Sequence, residues 1–412
     1  MGPDPSSLVA VRRFPYPYRA MLAICSDLDE TPNRRVYWET ARYLNTTQPT
    51  SMGLGVGLEV GNTMYFDMPP DQFAYWNTDD AGRDMVRTLM RSGHIDCLHS
   101  FGDLAVMRKD ADRALNELAR HDCRIQVWID HGTAPSNFGA DIMQGRGDLP
   151  GADVFHADLT YDYGVRYVWR GRVTSVIGQD VPRRLAGIWA SGHPVASSKT
   201  MAKEFAKGLL ARGGSLKYQM HTANRVFQDV GLRSGHRVWE FLRANPHWGG
   251  VSCGETADGL AEVLVDPMLE RLVARGGFLI LYTHLGKIHD QNEPLRSPTR
   301  AALHRLVRYV REGRILVTTT RRLLTYCRAL HGARVTATPS DDGLLVEVTT
   351  GEGDAPDEVQ GLCLYVPDPR RTRLTVNRQE RRDVVSNPPD ETGRASLSVG
   401  WKPLTFPTGA LS

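Results

Sequence analysis

Short apolar runs recur through most of this chain, each followed by a stretch with helical spacing. That alternation restricts the fold more than any composition figure does. Met21–Cys25, Ile95–Leu98, Ile125–Ile129, Val165–Trp169, Leu216–Met220, Phe278–Tyr282 and Ile315–Val317 read as strands. Helical patterns cover Arg83–Ser92, Ala111–Arg120, Met201–Arg212, His236–Arg243, Leu260–Arg275 and Pro298–Glu312, and Arg91-Ser-Gly supplies a stop signal. Strands this short, separated by helices, predict a parallel α/β architecture, open or barrel-shaped.

The alternation ends after a helix expected at Arg321–Leu330. Beyond it the period drops to two, with strands expected at Arg334–Thr338, Leu344–Thr349, Leu362–Pro367, Arg373–Val376 and Ala395–Gly400. Ser340-Asp-Asp-Gly, Gly351-Glu-Gly-Asp-Ala-Pro and Asn387-Pro-Pro-Asp separate them as turns. The expected division is residues 1–332 as an α/β domain and 333–412 as a small β-sandwich. The tail carries no aromatic platform for a sugar, so it reads as a packing appendage.

Charge and cysteine usage narrow the partners. The 412 residues carry a net charge of +3, and the basic residues are scattered, so nucleic acid is not an expected partner. The densest basic stretch, Arg370 to Arg382, is interrupted by Leu374, Val376 and Glu380. No run approaches the roughly 20 apolar residues of a membrane span. Met1 to Ser7 lacks a secretory layout, and Pro3 after Gly2 makes a poor acylation site, so a cytoplasmic location is expected. Cys25, Cys97, Cys123, Cys253, Cys327 and Cys363 are far apart and flanked by apolar residues, the pattern of buried free thiols.

The candidate chemistry lies just past the apolar runs. Asp27 and Asp29 follow the first run two residues apart, on one face if the strand continues. Two converging carboxylates are costly unless a cation neutralises them, although a solvated turn with Asp29 capping the next helix is the other reading. Gly93-His-Ile-Asp-Cys-Leu-His-Ser-Phe-Gly-Asp delivers His99, with Asp103 four residues on, a spacing that suits a divalent-ion clamp. His94 reads as structural. Gly277-Phe-Leu-Ile-Leu-Tyr-Thr-His ends in His284, a proton carrier near neutral pH. Asp130 and His131 leave a further strand, and His156 and Asp158 follow, either as substrate contacts or as solvated loop residues.

The order of these motifs resembles the polysaccharide deacetylase family, carbohydrate esterase family 4. Ser26-Asp-Leu-Asp is similar to its first motif, Gly93 to Asp103 to its His-x-x-x-His segment, and Leu281-Tyr-Thr-His to its last, over roughly residues 20 to 320. The resemblance implies a distorted (β/α) barrel and a metal-dependent hydrolase that removes an N-acetyl group from an amino sugar or sugar-containing metabolite. It implies Asp27 as general base and His284 as general acid. It implies Asp29, His99 and Asp103 as ligands of a divalent metal, zinc or another first-row ion. Asp103 stands where the family has its second histidine, and Asp130-His-Gly where it has an Arg-Pro motif whose arginine braces the catalytic Asp. His131 is therefore a ligand in place of Asp103 or a substrate contact, beside Asp130 and His156. A barrel hydrolase acting on a glycosidic or non-peptide amide bond, or a silent carbohydrate-binding relative, are the other expectations.

Overall fold

The computed structural model describes residues 9–351 and 356–408. The segment read for leader signals, residues 1–7, and most of the turn between 351 and 356 lie outside the described residues. The chain divides into two compact units, and each is interrupted in sequence.

The larger unit comprises Leu22–Tyr309, Val317–Arg321 and the described part of Leu404–Ser412. Nine of its strands are β1 (Ala20–Ser26), β2 (Asn62–Met64), β3 (Ile95–His99), β4 (Val127–Ile129), β5 (Tyr167–Trp169), β6 (Val173–Thr174), β7 (Arg237–Phe241), β8 (Arg243–Ala244) and β9 (Phe278–Thr283). Hydrogen bonding links them in the order β7-β5-β4-β3-β2-β1-β9-β8-β6. The pairings are parallel from β1 to β2, through β3, β4 and β5, to β7, and again among β6, β8 and β9. The two ends of this path are neighbouring stretches of one chain. Arg170, Gly171 and Arg172 separate β5 from β6, and Leu242 alone separates β7 from β8. Gly171 has a φ of +90°, the left-handed region that lets the chain kink between them. The result is a curled, mostly parallel sheet consistent with a distorted barrel.

Every residue of β1 and of β3 is buried, as expected for parallel strands covered on both faces. Helices supply the cover. Asp80–Arg91 starts where the Asp79 carboxylate accepts the Gly82 N–H, and it turns Met85, Val86, Leu89 and Met90 inward. The observed helices at Arg108–Arg120, Pro194–Arg212, Asp266–Arg275 and Ser297–Arg311 follow the expected pattern with shifted ends.

Two expectations are corrected. Leu216–Met220 is no strand: a 3-10 turn and the short helix Gln219–Ala223 occupy it, stopped by Asn224 in the left-handed conformation at φ 48°. His236–Arg243 is no helix. Gly235, at φ +89°, turns the chain so that Phe227–Gly231 and Arg237–Phe241 pair antiparallel, and Val238, Glu240 and Phe241 are buried. Glu240 and Arg243 look solvent-facing in sequence, which produced the false helical period. Both are fully buried.

The smaller unit comprises the described part of Met1–Met21, Val310–Leu316 and Arg322–Pro403. One sheet is ordered Ala10–Arg12, Cys363–Tyr365, Ser396–Val399, Val384–Asn387, and the other Arg334–Ser340, Gly343–Thr349, Thr372–Val376, Gln379–Glu380. Val346, Val348, Leu374 and Val376 from one sheet share a core with Leu364, Leu397 and Val399 from the other, the arrangement of a sandwich. This unit does not begin at residue 333, because Ala10–Arg12 pairs antiparallel with Cys363–Tyr365. All six cysteines are free and buried. Among the described residues, no helix is long and apolar enough to cross a membrane.

Candidate active site at the strand ends

Because the barrel strands run parallel, their C-terminal ends meet at one rim. Asp27 leaves β1, and its N–H donates to the Thr283 carbonyl of β9 at 3.2 Å. The 3-10 turn Leu28–Glu30 then carries Asp29 inward, so both carboxylates are buried.

Asp27 is braced by an arginine that the sequence reading did not select. Arg243 of β8, fully buried, donates from Nη2 to the Cys25 carbonyl at 2.8 Å and reaches Asp27 Oδ1 and Oδ2 at 3.3 and 3.4 Å. Its guanidinium carbon lies 4.5 Å from the ring centroids of both Trp169 and Tyr282. Asp130-His-Gly therefore does not replace the bracing arginine. Burial disfavours the Asp27 charge, but Arg243, with His99 and His284, holds its pKa at about 2. The signal was an arginine directly after the apolar pair Phe241-Leu242, a costly place for a cation without a partner.

His284, immediately after β9, places Nε2 3.3 Å from Asp27 Oδ2 and 3.4 Å from the Tyr282 hydroxyl. Its Nδ1 donates to the Gly254 carbonyl at 2.7 Å, which assigns the ring proton to Nδ1 and turns Nε2 toward Asp27. Burial pushes the imidazole below its ordinary value, with Asp27 pulling the other way. Glu30 stands 3.9 Å from His284 Nε2 and 3.4 Å from Lys287 Nζ, and burial together with the Asp27 charge raises it to about 8.

Asp29, His99 and His131 form the adjoining cluster. Asp29 Oδ1 accepts from the Thr63 hydroxyl at 2.5 Å and lies 3.4 Å from His99 Nδ1. The His99 and His131 rings meet edge to face at 4.7 Å, and Tyr65 stacks on His99 at 4.5 Å. Asp103 meets this group through His131, whose Nδ1 lies 3.1 Å from Asp103 Oδ1. Burial pushes His99 down to about 4 and lowers His131 as well, which favours the neutral form that ligates a metal.

Asp29 Oδ2 is buried with no hydrogen-bond partner, and burial plus the Asp27 charge lifts this carboxyl well above its usual range. An enclosed, orphaned carboxylate oxygen beside two neutral imidazoles has the donor chemistry of a divalent-cation site.

The remaining candidates sit elsewhere. Asp130 is fully enclosed: it accepts from Trp128 Nε1 at 2.8 Å and from the Phe138 and Gly139 N–H groups at 2.9 and 2.8 Å. His156 is equally enclosed, with Nδ1 at 2.8 Å from the Thr160 hydroxyl and Nε2 at 2.8 Å from the Ser136 carbonyl. Both brace the loop after β4, which revises their expected role as substrate contacts. Asp158 forms a two-pronged ion pair with Arg108 at 2.7 Å, and His94 meets the Ser92 hydroxyl at 2.9 Å.

Among the described residues, one group of three His, Cys, Asp or Glu side chains brings its ligand atoms within 4.8 Å of one another, and it is not the Asp29 cluster but His247, Cys253 and Glu262. Its protons are already assigned. The Gly249 N–H donates to His247 Nδ1 at 2.9 Å, which puts the ring hydrogen on Nε2, 2.9 Å from Glu262 Oε2. The Cys253 thiol donates to the Gly259 carbonyl at 3.2 Å, and burial pushes it up to about 12. A metal-binding histidine ordinarily donates from its second nitrogen, so this group reads as a hydrogen-bonded clasp on the loop that presents Gly254.

Comparison of the chain with protein-family models, with curated proteins and with solved structures found no match.

Proposed function

We propose that this chain is a metal-dependent hydrolase of the polysaccharide deacetylase type, removing an N-acetyl group from an amino sugar or sugar-containing metabolite. One juxtaposition carries the reading. An arginine-braced Asp27 touches His284 beside the Asp29–His99–His131 group, all at one end of parallel strands.

In this reading Asp29, His99 and His131 hold the metal, and Asp103 orients His131 from behind, as carboxylates commonly do for ligating histidines. When bound, the ion acts as a Lewis acid on the acyl carbonyl and lowers the pKa of a water. Asp27, kept ionised by Arg243, accepts the proton of the attacking water. The proton taken by Asp27 passes to His284 Nε2, 3.3 Å away, which delivers it to the departing amine, the ring held in place by the Gly254 carbonyl. Beside them, a cavity of about 410 Å³ lined by Glu30, Pro32, Thr256, Gly286, Lys287 and His289 offers a polar berth for a sugar.

The test is metal content of the purified protein beside His99→Ala, with acetate release measured on a panel of N-acetyl sugars. About one equivalent of metal, lost in the variant, together with acetate release supports the reading. Metal without acetate moves the assignment to another bond. No metal after reconstitution with zinc, cobalt or manganese ends the catalytic reading.

A further inference from the structure

The helix Pro194–Arg212 is built the wrong way round for a packing element. Its buried positions are Ser197, Thr200, Glu204 and Gly208, which are polar or lack a side chain. Its apolar residues face outward instead: Val195 is 68% exposed, Phe205 56%, Leu209 51% and Leu210 53%, and Trp189 just ahead of the helix is 48% exposed. Spacings of three, four and seven residues set Val195, Ser198, Lys199, Ala202, Phe205, Ala206 and Leu209 on one side, apolar from Ala202 to Leu209.

The polar inner face has a structural reason. Glu204 accepts from the Thr174 hydroxyl at 3.0 Å, the Ser175 N–H at 3.2 Å and Lys207 Nζ at 2.8 Å, and Thr200 donates to the Trp248 carbonyl. The helix is thus anchored to its unit by polar bonds, leaving the outer stripe free of any packing duty. Scattered exposed leucines need no explanation, but Phe205, Leu209 and Leu210 exposed together on one helix do.

Charge indicates what covers it. Lys199 lies at the N-terminal end of the stripe, Lys203 and Arg212 flank it, all three are exposed, and Arg184 is exposed ahead of Trp189. The helix holds a single acid, Glu204, which is buried and bound to Lys207. An apolar stripe bordered by cations, with an aromatic at its edge, suits an anionic lipid surface. A two-fold contact with a second copy would bring the same lysines together with no carboxylate of this helix to neutralise them.

We infer that Pro194–Arg212, with Trp189, docks this protein onto membranes rich in anionic lipid, its apolar stripe entering the headgroup region. This surface is independent of the chemistry proposed above, and either can fail without the other.

The test is co-sedimentation of the full chain with vesicles of phosphatidylcholine alone or mixed with phosphatidylglycerol. Binding should require phosphatidylglycerol and weaken as salt rises. Phe205→Ser with Leu209→Ser should abolish it, and Lys199→Glu with Lys203→Glu should weaken partitioning about tenfold or more. Circular dichroism checks that each variant folds, and Leu54→Ser, an exposed leucine elsewhere, should bind as the parent does. Three results overturn the inference: no binding to either vesicle, equal binding to both, or a dimer in sedimentation velocity that Leu209→Ser dissolves.

Discussion

Arg243 Nη2 lies 3.3 Å from Asp27 Oδ1, and both side chains are shut away from solvent. Removing one partner of such a pair leaves the other charged and unpaired. Arg243→Met should therefore cost about 3–5 kcal/mol in urea unfolding, despite its similar bulk. Arg243→Met with Asp27→Asn should recover part of that loss. Additive losses in the double variant would mean that the arginine matters chiefly through its packing between Trp169 and Tyr282.

Asp103 and His131 separate a metal ligand from its support. On the proposed assignment His131→Ala removes a ligand, whereas Asp103→Asn only loosens one and should weaken zinc affinity about 10–100-fold. A competitive chelator titration measures both. Equal losses would place Asp103 in the coordination sphere itself, as the resemblance first implied.

Gly259 has no room for a methyl group, since an added Cβ would stand 1.4 Å from the Cys253 carbonyl oxygen. Gly259→Ala must therefore shift the loop whose next carbonyl, at Gly254, accepts the hydrogen bond from His284 Nδ1. Acetate release should fall about 100-fold while the protein remains folded. A normal rate would mean that the Gly254 contact does not set the His284 ring.

Asp390 makes the smaller unit acid-sensitive. Burial works against its charge, but bonds from Thr392, from Tyr365 at 2.6 Å and from Arg12 at 2.9 Å hold its pKa well below the carboxylate range. A depressed carboxylate stabilises the fold above its unfolded pKa of about 3.9, and that contribution disappears as pH falls through the folded value. Thermal unfolding between about pH 5 and 2 should show a shallower loss in Asp390→Asn than in the parent. An unchanged slope would assign the acid sensitivity to other carboxylates.

What the sequence disclosed follows from how each residue meets its surroundings. Met21–Cys25 and Phe278–Tyr282 were legible because parallel strands buried on both faces read as unbroken apolar runs. Asn62–Met64 was not, because its Asn-Thr-Met shows neither period and owes its burial to its neighbours. Asp27, Asp29, His99 and His284 stood out because each polar residue follows or ends such a run. Arg243 was missed because a strand of two residues has no period to detect, and only tertiary contact reveals what the cation faces. Asp130 and His156 showed the reverse error: polar residues after a strand can serve the loop's own backbone.

The strand Ala10–Arg12 pairs with Cys363–Tyr365, which in turn pairs with Ser396–Val399. During synthesis the earliest of these segments leaves the ribosome hundreds of residues before its partners exist. The barrel strands from β1 to β9 have all emerged by then, so the order of folding is not the order of translation. The first described strand has to wait, unpaired, for Cys363–Tyr365, and a chain interrupted before Ser396 leaves that sheet without one of its two inner strands.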